Sequence, residues 1–164
     1  MNSTAIVYCD NQFGKMDGKV ANGLVRHSEK YEIVGIIDSS KAGMDAGEYL
    51  DGVKNQIPIF RDLNEAIKQL DDLPDYFIYG IAPLEAFLSE EQRQIVFNAI
   101  EKGMDIVNGL HEFFTEDEEF IQKARKHGVK IVDIRKPPAK KDLHLFSGRI
   151  LDVKIPIVSV LGTD

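Results

Sequence analysis

Several short stretches hold residue types that can do chemistry, and each follows an apolar run of the kind that forms a buried strand. Asn108-Gly109-Leu110-His111-Glu112 sets an imidazole beside a carboxylate, a pair able to transfer a proton. Neighbouring side chains in extended backbone point to opposite faces, so one of the two reaches a given pocket, and His111 is the preferred general base. Arg135, just past Asp133, carries a planar cation suited to clamping an anionic group. Gly14 and Gly18 lie ahead of a helical stretch, where free N–H groups attract an anion; the same glycines serve equally well for turning alone. Asp38 ends an apolar run where a dinucleotide-binding fold keeps an acid for a ribose hydroxyl, and acids at strand ends also cap loops. In Gly80-Ile81-Ala82-Pro83, small residues let a ligand come close to the backbone. Lys19, Arg26 and His27 bring charge to the first helix, as a ligand contact or as a solvated face. Arg135, Lys136, Lys140 and Lys141 form a basic group that suits either ligand phosphates or a solvated linker.

Other chemistries lack their residues. The G-x-G-x-x-G fingerprint is missing, which disfavours ordinary NAD binding. The 4 histidines are scattered without ligand spacing, so no metal site is expected. Neither a nucleophile elbow nor a Ser-x-x-Lys element is present. Cys9 is the one cysteine, which excludes an internal disulfide framework and fits a reducing compartment. Lys+Arg 20 against Asp+Glu 27 gives a net charge of −7. Such a surface repels phosphate backbones and anionic lipid, so neither nucleic acid nor a membrane is an expected partner. No apolar run approaches the roughly 20 residues of a membrane span. The first residues show no basic n-region or cleavage pattern, and a cytoplasmic location is expected.

The elements that must position these residues alternate. Apolar runs at 4–9, 32–38, 57–60, 76–82, 105–110 and 130–134 are nearly continuous, as parallel strands covered on both faces require. Asp62 with Glu65, Ser89 with Gln92, and Thr115 with Glu118 fit helix-starting capping boxes. Leu63, Ala66, Ile67 and Leu70 repeat at helical spacing, and Gly103 and Gly128 sit where helices end. Residues 39–56 read as a structured loop with one helical turn. A chain of 164 residues is about one domain. The expected fold class is α/β, a Rossmann-like three-layer α/β/α arrangement with a mainly parallel sheet of about six strands. This domain spans residues 1–150, with an exit opened by Pro137-Pro138. Residues 151–164 read as the first strand of a second domain over 153–160. That strand empties into Gly162-Thr163-Asp164, either the start of a phosphate loop or a frayed end.

Taken together, several motifs resemble a two-domain bacterial and archaeal family, the domain-of-unknown-function family sixteen-eleven. They are residues 10–14, Gly18-Lys19-Val20-Ala21-Asn22-Gly23-Leu24-Val25-Arg26, residues 31–38, Ala42-Gly43, Asp45-Ala46-Gly47-Glu48, Gly80–Pro83, residues 103–113 and the terminal Val160-Leu161-Gly162-Thr163-Asp164. The resemblance implies a Rossmann-like N-terminal domain followed by a P-loop-type domain. It also implies transfer of acetyl from acetyl-CoA to the amino group of D-glutamate. Asp10, Gly14, Lys19, Arg26, Asp38, Gly80, Pro83, Gly109 and Arg135 are then the substrate- or cofactor-binding positions. His111 or Glu112 takes the ammonium proton, and Arg26 or Arg135 anchors a carboxylate. The 164-residue chain alone is expected to be inactive. The alternative is a non-catalytic nucleotide- or CoA-binding module, and a homo-oligomer built through an exposed strand is a further expectation. A weaker similarity to the CoA-binding domains of acyl-CoA synthetases bears on fold only.

Overall fold

The computed structural model describes residues 3–82, 88–143, 146–156 and 158. Strands β1 (Ser3–Tyr8), β2 (Tyr31–Ile37), β3 (Ile59–Phe60), β4 (Tyr76–Tyr79), β5 (Asp105–Asn108) and β6 (Ile131–Asp133) form one 6-stranded sheet in the order β3-β2-β1-β4-β5-β6. Every neighbouring pair is parallel, so the expected fold class holds, with no antiparallel member in the sheet. The strand runs are apolar because both faces are covered; Ala5, Ile6 and Val7 of the central strand are fully buried.

Parallel strands need crossovers, and these are α1 (Lys19–Arg26), α2 (Ala46–Asp51), α3 (Leu63–Gln69), α4 (Glu90–Glu101) and α5 (Glu118–His127). The chain steps outward from β1 to β2 to β3, returns through α3 to β4, and then steps the other way. Right-handed crossovers therefore place α1 and α2 on one face and α3, α4 and α5 on the other. Strand order reverses between β1 and β4, the position where such sheets bind ligands. Register aligns Tyr8 with Ile37 and Tyr79, and Tyr79 with Asn108. The residues just after these strands consequently share one edge. Gly80 is needed there for packing: a Cβ on it would lie 2.5 Å from Val7 Cγ1 and 3.2 Å from Ala21 Cβ. Its absence lets α1 sit close against the sheet.

Local signals mostly hold. Ser89 and Gln92 form a reciprocal capping box, and Asp62 accepts from the Glu65 amide. The third box differs: Asp117, not Thr115, caps α5, through the Glu119 and Phe120 amides. The Thr115 hydroxyl is instead committed to Asp133 at 2.6 Å. The loop over 39–56 contains a 3-10 turn, Ser39–Lys41, and then α2, capped by Asp45. Past β6 the described chain makes only 3-10 turns, Lys140–Asp142 and Arg149–Asp152. The strand expected over 153–160 is not formed at its described residues; Val153, Ile155 and Val158 are 45%, 70% and 82% exposed. Pro83 and the Gly162-Thr163-Asp164 terminus lie outside the described residues.

Candidate functional site

The loop between β1 and α1 is closed on itself. Its Gln12 and Phe13 amides donate to the Cys9 carbonyl, Lys15 N to Gln12 O, Gly18 N to Lys15 O and Lys19 N to Met16 O. Gly14, at φ 79, donates to Asn22 Oδ1 at 2.9 Å, and the Asn22 amide donates to Lys15 O at 3.1 Å. The loop spends these amides internally, while the first-turn amides of Val20 and Ala21 have no acceptor among the described residues. Gly14 takes up the positive φ that its turn requires. Lys19 is exposed at the start of α1. Arg26 lies at the other end of the helix, about 10 Å away at 1.5 Å per residue, and is paired with Asp51 at 2.7 Å.

Asp38 is fully buried beneath this loop. Its Oδ1 accepts from the Ser40 amide at 3.0 Å and hydroxyl at 2.6 Å, and its Oδ2 from Lys41 Nζ at 3.0 Å and Phe13 N at 3.1 Å. Burial pushes the carboxyl's pKa up, but the Ser40 and Lys41 hydrogen bonds, the Lys41 charge and the Phe13 amide outweigh it and hold the value below the ordinary one. Both oxygens face protein donors rather than open space. Asp10 occupies the rim instead, accepting from Ser39 N at 2.7 Å and Ser39 Oγ at 2.6 Å. Burial and the Asp38 charge push the Cys9 thiol up to about 12, so it stays neutral.

At the other end of the edge, the loop after β5 carries His111. Asn108 is fully buried, and its amide donates to Glu112 O at 2.7 Å and to Asp133 Oδ1 at 2.8 Å while accepting from Leu110 N at 2.9 Å. Asp133 also receives Phe114 N at 3.1 Å, Thr115 N at 2.9 Å and the Thr115 hydroxyl. This double clamp fixes the loop and leaves His111 exposed, with its Nε2 2.9 Å from Arg135 Nη1. Guanidinium only donates, so the imidazole nitrogen in that contact accepts. Glu112 turns away: it accepts from Leu88 N at 2.9 Å and faces Arg93 at 3.3 Å. Arg93 also holds Asp117 at 2.9 Å and Glu119 at 3.0 Å, lying over the Phe97 and Phe120 rings. The structure thus brings His111 and Arg135 together and separates both from Glu112. Gly109 has open space around it, with nothing within 4 Å of a built Cβ.

A cleft of about 340 Å³ opens beside the strand-order reversal, over the carboxyl ends of β1 and β2 and between α3 and α4. Tyr8 forms part of its lining, and the Tyr79 ring packs 5.4 Å behind Tyr8. Burial, and for Tyr8 also the Asp10 charge, raises both phenols above their ordinary range, so both keep their protons. Among the described residues the buried Tyr79 Oη has no hydrogen-bond partner. No group of three or more His, Cys, Asp or Glu among them is placed to hold a metal, and no helix is long and apolar enough to cross a membrane. Arg93 gave no sequence signal, since its role depends on three carboxylates far along the chain. Asn108 did give one: an uncharged amide closing a buried strand must find partners.

The strand order and the site at its carboxyl edge define a Rossmann-like domain. Residues 39–137 match the family described as domain of unknown function DUF1611_N, Rossmann-like domain, and the chain belongs to that family. It resembles the crystal structure of a DUF1611 family protein from Anabaena variabilis ATCC 29413, with 26% identity and a TM-score of 0.79 over 92% of this chain and 42% of that one. A 61-residue stretch is 38% identical to D-glutamate N-acetyltransferase from Pseudoalteromonas sp, covering 37% of this chain and 18% of that protein. The chain therefore spans less than half the length of either relative. Its fold alone is shared with GenD2 from gentamicin A biosynthesis, solved in complex with NAD, at 16% identity and a TM-score of 0.54 over 80% of this chain and 34% of that one.

Proposed function

We propose that this domain is the substrate-binding part of an amino-acid N-acetyltransferase that moves acetyl from acetyl-CoA to the amino group of D-glutamate. The observation that carries the reading is the contact of Arg135 Nη1 with His111 Nε2 at 2.9 Å, on a loop clamped by Asn108 and Asp133. The stretch similar to a D-glutamate N-acetyltransferase supports it.

The chemistry follows from the pair. A substrate carboxylate outcompetes a neutral imidazole for the guanidinium, because a charge-assisted, two-pronged contact is stronger. Arg135 then anchors the substrate, and the freed Nε2 lone pair accepts a proton from the substrate ammonium. The amine attacks the thioester carbonyl carbon, the C–N bond forms and the C–S bond breaks. The departing thiolate takes the second nitrogen proton. The base is thus released only when the acceptor's carboxylate is in place.

The test is acetyl transfer in the full-length polypeptide of this reading frame, with His111→Ala and Arg135→Ala beside it. His111→Ala is expected to lower kcat by about 10²-fold or more, whereas Arg135→Ala chiefly raises KM for the acidic acceptor. Unchanged turnover in His111→Ala removes the base from this assignment. A second reading, a nucleotide- or CoA-binding module without chemistry, is favoured by the cleft beside Tyr8. It predicts ligand binding with no turnover in the same assay.

A further inference from the structure

We propose that the backbone amide of Gly109 is the oxyanion donor of the acetyl-transfer step, holding the thioester oxygen as it takes up negative charge. The inference rests on the acetyltransferase reading and adds the group that the reaction needs beside the base. After four of the strands the ladder runs on by one bond. Cys9 N donates to Ile37 O at 2.9 Å after β1, Asp38 N to Phe60 O at 2.9 Å after β2, Gly80 N to Tyr8 O at 2.8 Å after β4, and Ile134 N to Asn108 O at 2.9 Å after β6. The exit of β5 differs. Tyr79 and Asn108 are in register, and Asp105 N donates to Asp75 O at 2.9 Å where β5 begins, so the alternation of the ladder assigns Gly109 N to Tyr79 O. That bond is not made, and Gly109 N has no acceptor among the described residues. Asn108 supplies the reason. Its Oδ1 takes Leu110 N at 2.9 Å and its amide holds Glu112 O at 2.7 Å, which turns the chain off the sheet one rung early.

The choice of glycine points to a ligand at the same place. Gly109 is not among the positive-φ glycines, and a Cβ built on it meets nothing within 4 Å. Neither backbone conformation nor packing within the chain requires a glycine here, whereas a carbonyl that must come within hydrogen-bond reach of the amide does. His111 is two residues on, so the two Cα atoms are at most about 7 Å apart, and its Nε2 rests on Arg135 Nη1 at 2.9 Å. The amides of His111, Glu112 and Phe113 have no acceptor among the described residues either. Gly109 differs from them in leaving a ladder position open, between the buried Asn108 and Leu110. A donor fixed in this way costs no reorganisation when charge develops. As the D-glutamate nitrogen attacks the carbonyl carbon, the C=O π pair moves onto oxygen and the Gly109 N–H donates to it. The pair returns as the C–S bond breaks; the thiolate takes the second nitrogen proton, and His111 holds the first.

The test uses the full-length polypeptide of this reading frame, with acetyl-CoA and with its dithioester analogue, in which C=S replaces the reacting C=O. Sulfur accepts hydrogen bonds weakly, so a donor that holds the oxyanion favours the oxygen substrate. Gly109→Pro removes the N–H. It is expected to lower kcat with acetyl-CoA by about 10²–10³-fold, the size of one oxyanion donor, with KM for D-glutamate little changed. The preference for C=O over C=S should fall with it, by about tenfold or more. Gly109→Ala keeps the donor and its methyl meets no atom of the chain, so its melting temperature should equal wild type. The methyl stands where the acetyl group must sit, and a displaced thioester should lower kcat about tenfold or more. Where circular dichroism shows that Gly109→Pro does not fold, the alanine variant decides alone. Transfer by wild type with either folded variant at wild-type kcat, or with the C=O preference unchanged in Gly109→Pro, overturns the oxyanion role and leaves the acetyltransferase reading standing. No transfer by wild type removes that reading, and the oxyanion role with it.

Discussion

Replacing Asp38 tests whether the acid at the end of β2 holds the fold. In Asp38→Ala the ammonium of Lys41, 8% exposed, keeps only the Ser40 hydroxyl at 2.9 Å and the Tyr49 ring face at 5.4 Å. Removing one partner of a buried ion pair typically costs about 3–5 kcal/mol. The Ser40 amide regains water because Ser40 is exposed, and the Phe13 amide retains the Cys9 carbonyl at 3.1 Å. Neither adds much, and about 4 kcal/mol is expected, a large share of the roughly 5–15 kcal/mol that folds a domain. Asp38→Asn keeps an acceptor but leaves the charge unmatched. Asp38→Asn with Lys41→Met removes the charge as well and should recover more than half of the loss. Urea unfolding followed by circular dichroism measures all three. The pH dependence has a fixed sign. The Asp38 carboxyl is held below its ordinary value in the fold, so its contribution is complete above the unfolded value, about 4. It is lost as pH falls through the lower folded value. The stability gap between the wild type and Asp38→Asn should accordingly narrow only in acid. A cost under about 1 kcal/mol for Asp38→Ala, against the 3–5 of a broken buried pair, would refute the reasoning and return Asp38 to ligand contact.

Two further outcomes follow from packing and from the His111 clamp. Gly80→Ala forces a methyl to 2.5 Å from Val7 Cγ1 and 3.0 Å from the Tyr8 carbonyl, so overpacking of about 1–3 kcal/mol is expected, read as a lowered melting temperature. A melting temperature equal to wild type would mean that the Val7 side chain yields to the methyl and that the packing does not require Gly80. Asp133→Ala removes the acceptor of the Phe114 and Thr115 amides. Hydrogen exchange at those two amides should accelerate while the amides of β1 keep their protection; uniform acceleration would show global destabilisation in place of a loosened loop.

The sheet was legible because its evidence is local. Near-continuous apolar runs such as Ala5-Ile6-Val7 require cover on both faces, and the spacing after Asp62 is helical whatever lies around it. The misplaced cap of α5 shows where local evidence stops. Thr115 and Asp117 both fit an N-cap, and the choice was made by Asp133, 18 residues further on, which takes the Thr115 hydroxyl. The same limit applies to the site. His111 and Arg135 stand 24 positions apart and meet only because β5 and β6 are adjacent. Asp38 read more readily as a loop cap than as a ribose ligand, and the choice depends on how residues 39–41 fold back over it. Arg26 looked available because Asp51, its partner, belongs to a helix that no strong periodicity announced.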